Sequence, residues 1–283
     1  MEPAIQLSNT FIGFTIAAIV FEILFPLVVA YLVGRRLQVS WRYFGYGALI
    51  FVLFQLLSRV PLMQLGQFLL GPQLRDSAGL RFSWITFAAL TAGLFEEIGR
   101  YVGYRWLLRR EEKTWPKAVM YGLGHGGIES IVLVAGLTAL TLIQLVALSH
   151  TDLSTLPITA EQRAQIAQQL AAVSAQPPWL GLLGAWERGW TLALHVALSV
   201  VVLQVFRRGD IRWLWLAVGL HAAVDWLAAA LPPFLPLGDL AKVLLPEAII
   251  TVVGLISLWV IFRLRDRPAL EAAALTVPDP PQR

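Results

Sequence analysis

No cysteine occurs in the chain, which removes disulfides, thiolate nucleophiles and cysteine-ligated metals. Charge is scarce as well: only 14% of the 283 residues are Asp, Glu, Lys or Arg, where a soluble globular domain carries about 25%. What takes their place is hydrocarbon, with 57% hydrophobic residues and a mean hydropathy of +0.67. A chain this apolar is expected to be a polytopic membrane protein, and its spans are expected to be helices, since a helix satisfies every backbone hydrogen bond internally. The formal net charge of +4 would suit a nucleic-acid partner only if the basic residues formed one face. They fall instead in short clusters beside apolar segments, the pattern of topology signals, so no nucleic acid is expected. Met1-Glu2-Pro3 carries no basic stretch, and Arg35 and Arg36 follow the first apolar run. That run is therefore expected to stay in the membrane with its N-terminal side outside.

Hydropathy and breaker residues predict an all-α bundle of about seven spans near 10–34, 43–66, 84–108, 116–149, 181–206, 212–231 and 239–263, with an interfacial helix as a candidate eighth. Alternate connections hold Arg35, Arg36 and Arg42, then Arg105, Arg109, Arg110, Lys113 and Lys117, then Arg207, Arg208 and Arg212, then Arg263, Arg265 and Arg267, whereas the opposite side has Arg75, Arg81 and Arg163. The basic side is expected to be cytoplasmic, placing the N-terminus outside and the C-terminus inside, in what reads as a bacterial cytoplasmic membrane. Residues 1–267 read as one integral domain with a core at 84–230. Within the external connection 151–178, Thr159 with Gln162 makes a capping box before Ile166, Leu170 and Val173 at helical spacing, and Pro177-Pro178 stops the helix. The stretch 268–283, with Pro278, Pro280 and Pro281, reads as disordered. Glu22 and Arg59, one in each of the first two spans beside Pro26 and Pro61, read as a structural pair or as kink residues.

The third span carries Glu96, Glu97 and Arg100 in its middle. Each charge at mid-bilayer costs about 2.5–3.5 kcal/mol on insertion scales. Helical spacing lets both acids face the guanidinium. The fourth span adds His125 and Glu129 one turn apart, roughly 13–20 Å from the cytoplasmic end. The fifth adds His195, with Glu187 and Arg188 further outward, and the sixth adds His221 and Asp225, again one turn apart. Four helices thus bring ionisable groups to one level. A single such histidine reads as a packing residue, but convergence of costly groups has no packing benefit and predicts a functional polar site. Gly99 and Gly103, and Gly122 and Gly126, form small-xxx-small pairs that would let the third and fourth spans approach beside the acids.

The Glu-Glu-x-x-Arg at 96–100, the Gly-x-Gly-His-Gly-Gly-x-Glu at 122–129, the lone His195 and the His-x-x-x-Asp at 221–225 together resemble the YhfC family of intramembrane peptidases. That family sits with CAAX-prenyl endopeptidases, bacteriocin-processing proteases and PrsW proteases among glutamate-dependent membrane proteases. The CAAX enzymes typically have Glu-Glu-x-x-x-Arg, Phe-x-x-x-His and a final Asn. Here the arginine is one residue closer, Tyr121 replaces the Phe and Asp225 stands in the Asn place, which points away from prenylated substrates. The resemblance implies hydrolysis of a peptide bond of a membrane-associated protein or peptide, with Glu96, Glu97, Arg100, His125, Glu129, His195, His221 and Asp225 as the site.

The chemistry is consistent with that. A carboxylate crowded by a second one against a low-dielectric wall can take a proton from water near neutral pH, and imidazoles can position the water or donate to an oxyanion. Glu96 is expected as the base and Glu97 as its support. The expected cofactor is none, because Arg100 supplies a counter-charge that a cation site would repel. Zinc on His125, Glu129, His195 and His221 is the alternative. A proton-coupled transporter or a non-catalytic scaffold could use the same buried cluster, and paired histidines could bind haem, but haem leaves Glu-Glu-x-x-Arg unexplained and no internal repeat supports a carrier.

Overall fold

The computed structural model describes residues 7–265, all helix, turn and connection without a strand among them. Among the described residues seven helices are long and apolar enough to cross a membrane: α1 (Asn9–Leu37), α2 (Arg42–Asp76), α3 (Ala78–Trp106), α4 (Trp115–Ser149), α6 (Pro178–Arg208), α7 (Arg212–Phe234) and α8 (Asp239–Arg263). The short α5 (Ala160–Ser174) lies between α4 and α6. The seven expected spans are all present, with two boundaries displaced, the end of α2 and the start of α3, which begins at Ala78 and not at 84. α2 runs ten residues past its expected end and meets α3 across Ser77 alone, whose extended backbone and side-chain cap on the Leu80 N–H start the next helix. The expected disorder at 268–283 concerns residues outside those described.

The bundle is arranged around α6. Its most apolar stretch is 78% buried, whereas the other spans bury between 11% and 39% of theirs and turn the rest outward. α4 and α8 pack on α6, α2 packs on α4, and α7 packs on both α3 and α8. The α2–α4 contact is close because a Cβ at Gly124 would overlap the Phe44 carbonyl oxygen. The two small-residue pairs do not face each other as expected. Gly99 and Gly103 lie against Ile50 of α2, with Phe54 and the Tyr121 ring, whereas Gly122 and Gly126 lie against α6 at Val196 and His195. The spacing was right and the partner wrong, because two interposed neighbours each accept one of the flat faces.

Two turns are widened to an i→i+5 pattern. In α2 it covers Val52–Arg59, with the Val60 N–H on the Gln55 carbonyl; in α4 it covers Glu129–Val134, with the Ala135 N–H on the Ser130 carbonyl. Such single wide turns are rare and gather at functional sites. They carry Gln55, Arg59 and Glu129 inward here. Glu22 and Arg59 are not a pair. Arg59 donates to the Ala88 carbonyl at 2.6 Å, to Thr91 Oγ1 at 3.2 Å and to Gln55 Oε1 at 3.3 Å, while Glu22 faces α6 at Gly184.

Outside the spans, the expected capping box is formed in both directions, with the Gln162 N–H on Thr159 Oγ1 at 3.1 Å and the Thr159 N–H on Gln162 Oε1 at 2.9 Å. Leu170 is buried and Ile166 and Val173 half-buried, so α5 lies with one face down. At the other end, Tyr43 donates to Glu111, joined by Arg42 at 2.9 Å and Lys117 at 3.2 Å. These donors, the Tyr43 hydroxyl foremost, hold the Glu111 carboxyl below the usual carboxylate range.

Candidate intramembrane site

α3 delivers Glu96, Glu97 and Arg100 to the interior, all buried. The guanidinium stands 3.6 Å from Glu96 Oε2 and 3.3 Å from Glu97 Oε1, as the i, i+4 and i, i+3 spacing allows. It also crosses to α6, donating through Nη1 to the His195 carbonyl at 2.6 Å and Ser199 Oγ at 2.9 Å, and through Nη2 to His195 Nδ1 at 2.7 Å. Arg100 therefore fastens α3 to the central helix.

Three imidazoles surround a single oxygen, Glu96 Oε2: His125 Nε2 at 3.0 Å, His195 Nδ1 at 3.9 Å and His221 Nε2 at 3.9 Å. Each ring also belongs to one glutamate, His125 to Glu96, His195 to Glu129 with Nε2 at 2.7 Å from Oε2, and His221 to Glu97 with Nδ1 at 2.7 Å from Oε1. Tautomers follow from the partners. Arginine only donates, so His195 Nδ1 accepts and its proton sits on Nε2, toward Glu129. Glu97 claims a proton of His221 on Nδ1, so a neutral ring presents a bare Nε2 toward Glu96, 3.7 Å from Asp225 Oδ2. His125 has no partner on Nδ1 among the described residues, which places its proton on Nε2, toward Glu96.

All eight residues expected from the sequence thus belong to one connected network, with Asp225 the most open, its side chain 37% exposed. His125 and Glu129 are the exception to the expected pairing. Though one turn apart, they serve different partners, and Glu129 is held instead by His195 and by Arg188 Nη1 at 3.0 Å. Sequence reasoning missed Gln55, which donates to Glu96 Oε1 at 2.5 Å and is itself braced by Arg59, and Ser199 on Arg100. The i, i+4 spacing of Gln55 and Arg59 inside an apolar span was the available signal. A cavity of about 590 Å³ opens onto Glu96, Glu129, His195, His221 and Asp225, with Gln55 and Arg59 on one wall and Trp84, Ala88 and Ala229 among its apolar lining.

Glu96, His125 and His195 offer one ligand atom each within 4.8 Å of one another, a set that could hold a metal ion and that differs from the expected His125, Glu129, His195 and His221 in taking Glu96 in place of Glu129 and His221. Around the cavity and behind it, the carboxylates of Glu96, Glu97, Glu129, Glu187 and Asp225 face the guanidiniums of Arg59, Arg100 and Arg188. With neutral histidines the formal excess is two negative charges, which two protons or one divalent ion would balance.

Fold and site together define a polytopic helical membrane protein with a buried acid–imidazole centre open to a cavity between its spans. The sequence profile described as YhfC intramembrane metalloprotease matches residues 21–242, and the chain belongs to that family of intramembrane proteases. It is 28% identical over 193 residues, 66% of this chain and 72% of the relative, to a Bacillus subtilis (strain 168) protein described as uncharacterized membrane protein YhfC. No solved structure matches.

Proposed function

We propose that this chain is an intramembrane endopeptidase in which Glu96 activates water against a peptide bond of a membrane-associated protein or peptide. The observation that carries this is the approach of Glu96 Oε2 and His221 Nε2 to 3.9 Å at the cavity; with the ring neutral and its proton on Nδ1, both atoms accept. One water donating to both at about 2.8 Å spans such a gap, and its oxygen lone pair then points into the cavity. Glu96 takes the proton as the water attacks, and Gln55 keeps Oε1 occupied so that Oε2 does the work. The His125 Nε2–H, already on Glu96, steadies the carboxylate, and Glu97 holds His221 in the tautomer that leaves Nε2 free. Asp225, protonated or bridged by water, and Arg59 are the groups at the wall that can donate to the carbonyl oxygen as it becomes an oxyanion.

A divalent ion, if bound by Glu96, His125 and His195, would polarise the scissile carbonyl and acidify a water. The hydrogen bonding favours the reading without it, since Arg100 occupies His195 Nδ1, the nitrogen that faces Glu96. Comparative proteomics of membrane and secreted fractions from a deletion strain complemented with wild type or with Glu96→Gln names the substrate: it accumulates uncleaved in the Glu96→Gln strain. Identical profiles would sink the peptidase reading. With that substrate, the purified protein is expected to hold no stoichiometric zinc and to keep its turnover in chelator. Turnover lost in chelator and restored by zinc would instead assign Glu96, His125 and His195 to ligation.

The orientation we propose puts the basic ends of α1, α3, α6 and α8 in the cytoplasm, with 1–267 as one membrane domain, its catalytic core at 84–230, and the 151–178 segment outside. A reporter fused after Lys113 or Arg208 should read cytoplasmic and one within 151–178 external; the reverse at both positions overturns this.

A further inference from the structure

A second cavity, about 380 Å³, lies between α1, the outer half of α4 and the start of α6. Its wall includes Glu22, which is completely buried, and neither carboxylate oxygen has a partner among the described residues. The position is built for that side chain. A Cβ at Gly184 would overlap Glu22 Oε1, and Ser130 Oγ donates to the Glu22 carbonyl at 2.7 Å, fixing the backbone behind it. The charged groups that face Glu22 are Glu187 and Arg188. Arg188 has no undivided charge to offer, since its terminal nitrogens are on Glu129 at 3.0 Å and Glu187 at 2.5 Å. Two carboxylates already share one guanidinium, and Glu22 makes a third.

The rest of the cavity is divided. Thr15, Thr138 and Thr141 bring hydroxyls to it, and Leu142, Leu145 and Leu180 an apolar wall. We propose that this cavity binds a primary ammonium group on a short apolar stem, the ammonium on the Glu22 carboxylate and the threonine hydroxyls and the stem along the leucines. An ammonium brings three donors and a full positive charge to a carboxylate that has neither. A bare alkali ion would use the oxygens and leave the leucine wall without purpose. Ethanolamine lipid head groups and lysine side chains both carry this chemistry.

Dicyclohexylcarbodiimide, an apolar reagent that modifies protonated buried carboxyls, reads the site without any need for proteolysis, so the result stands apart from the peptidase proposal. The full chain in phosphatidylcholine nanodiscs is treated with the reagent, and loss of unmodified Glu22, whether to the N-acylurea or to the amide that a primary amine would form, is quantified by mass spectrometry, with Glu22→Gln as the blank. Butylammonium chloride is expected to slow modification at Glu22 at least tenfold, while equal sodium chloride leaves it unchanged. Protection without added amine in phosphatidylethanolamine nanodiscs identifies the lipid head group as the source; protection only by butylammonium points to a peptide side chain. Three results overturn the proposal: equal protection by sodium, no effect of any amine in either lipid, or no modification at Glu22 at all.

Discussion

Glu96→Gln is expected to lower turnover by about 10²–10⁴-fold or more while leaving substrate binding and folding intact. The amide oxygen can keep the Gln55 donor, and the amide NH2 can donate to His125 Nε2 once that ring carries its proton on the otherwise unpartnered Nδ1, so the network survives in altered form, but the amide cannot take a proton from water. Glu97→Gln should behave differently. Its amide oxygen can still accept from His221 Nδ1, so the tautomer is retained and only a charged hydrogen bond is weakened. A loss of about 1.5 kcal/mol corresponds to roughly tenfold in turnover. Both variants are to be compared with wild type in a reconstituted assay with turnover and binding measured separately. A dead Glu97→Gln beside an active Glu96→Gln would exchange the two roles, and full activity in both would remove the site from catalysis.

The second large effect concerns stability. Arg100→Met leaves two buried carboxylates without their shared counter-charge and frees the His195 carbonyl and Ser199 on α6. Breaking a buried ion pair from one side costs about 3–5 kcal/mol, a large part of what a membrane bundle has to lose. Arg100→Met should therefore unfold at markedly lower temperature or denaturant in detergent. Adding Glu97→Gln should return part of the loss by removing one stranded charge. Unchanged melting in the single variant, or no recovery in the double, would show that Arg100 is not the fastening between α3 and α6.

Much of this was legible in the chain because burying charge in hydrocarbon leaves a conspicuous mark. The span count followed from hydropathy, and the eight polar residues stood out against an apolar background, so their convergence could be argued from depth. Partner choice was not legible. Small-residue pairs on two consecutive spans say that something packs closely, and only the three-dimensional arrangement shows that α2 and α6 fill those faces. The wide turns in α2 and α4 were hidden for a related reason. They are written mostly in ordinary apolar residues that mark no change of pitch, and Gln55, which carries no charge, showed no burial cost to single it out.

The joint at Ser77 has a mechanical side. α2 and α3 meet across one residue, so they behave as two arms of a lever pivoting at that end, and the Gln55–Glu96 bond ties the arms together part of the way along. The Arg59 bond to the Ala88 carbonyl is a second tie, nearer the pivot. Both ties border the cavity. Were the arms to part about that joint, displacement would grow with distance from the fulcrum, so the Gln55–Glu96 tie would lengthen more than the Arg59 tie nearer the pivot.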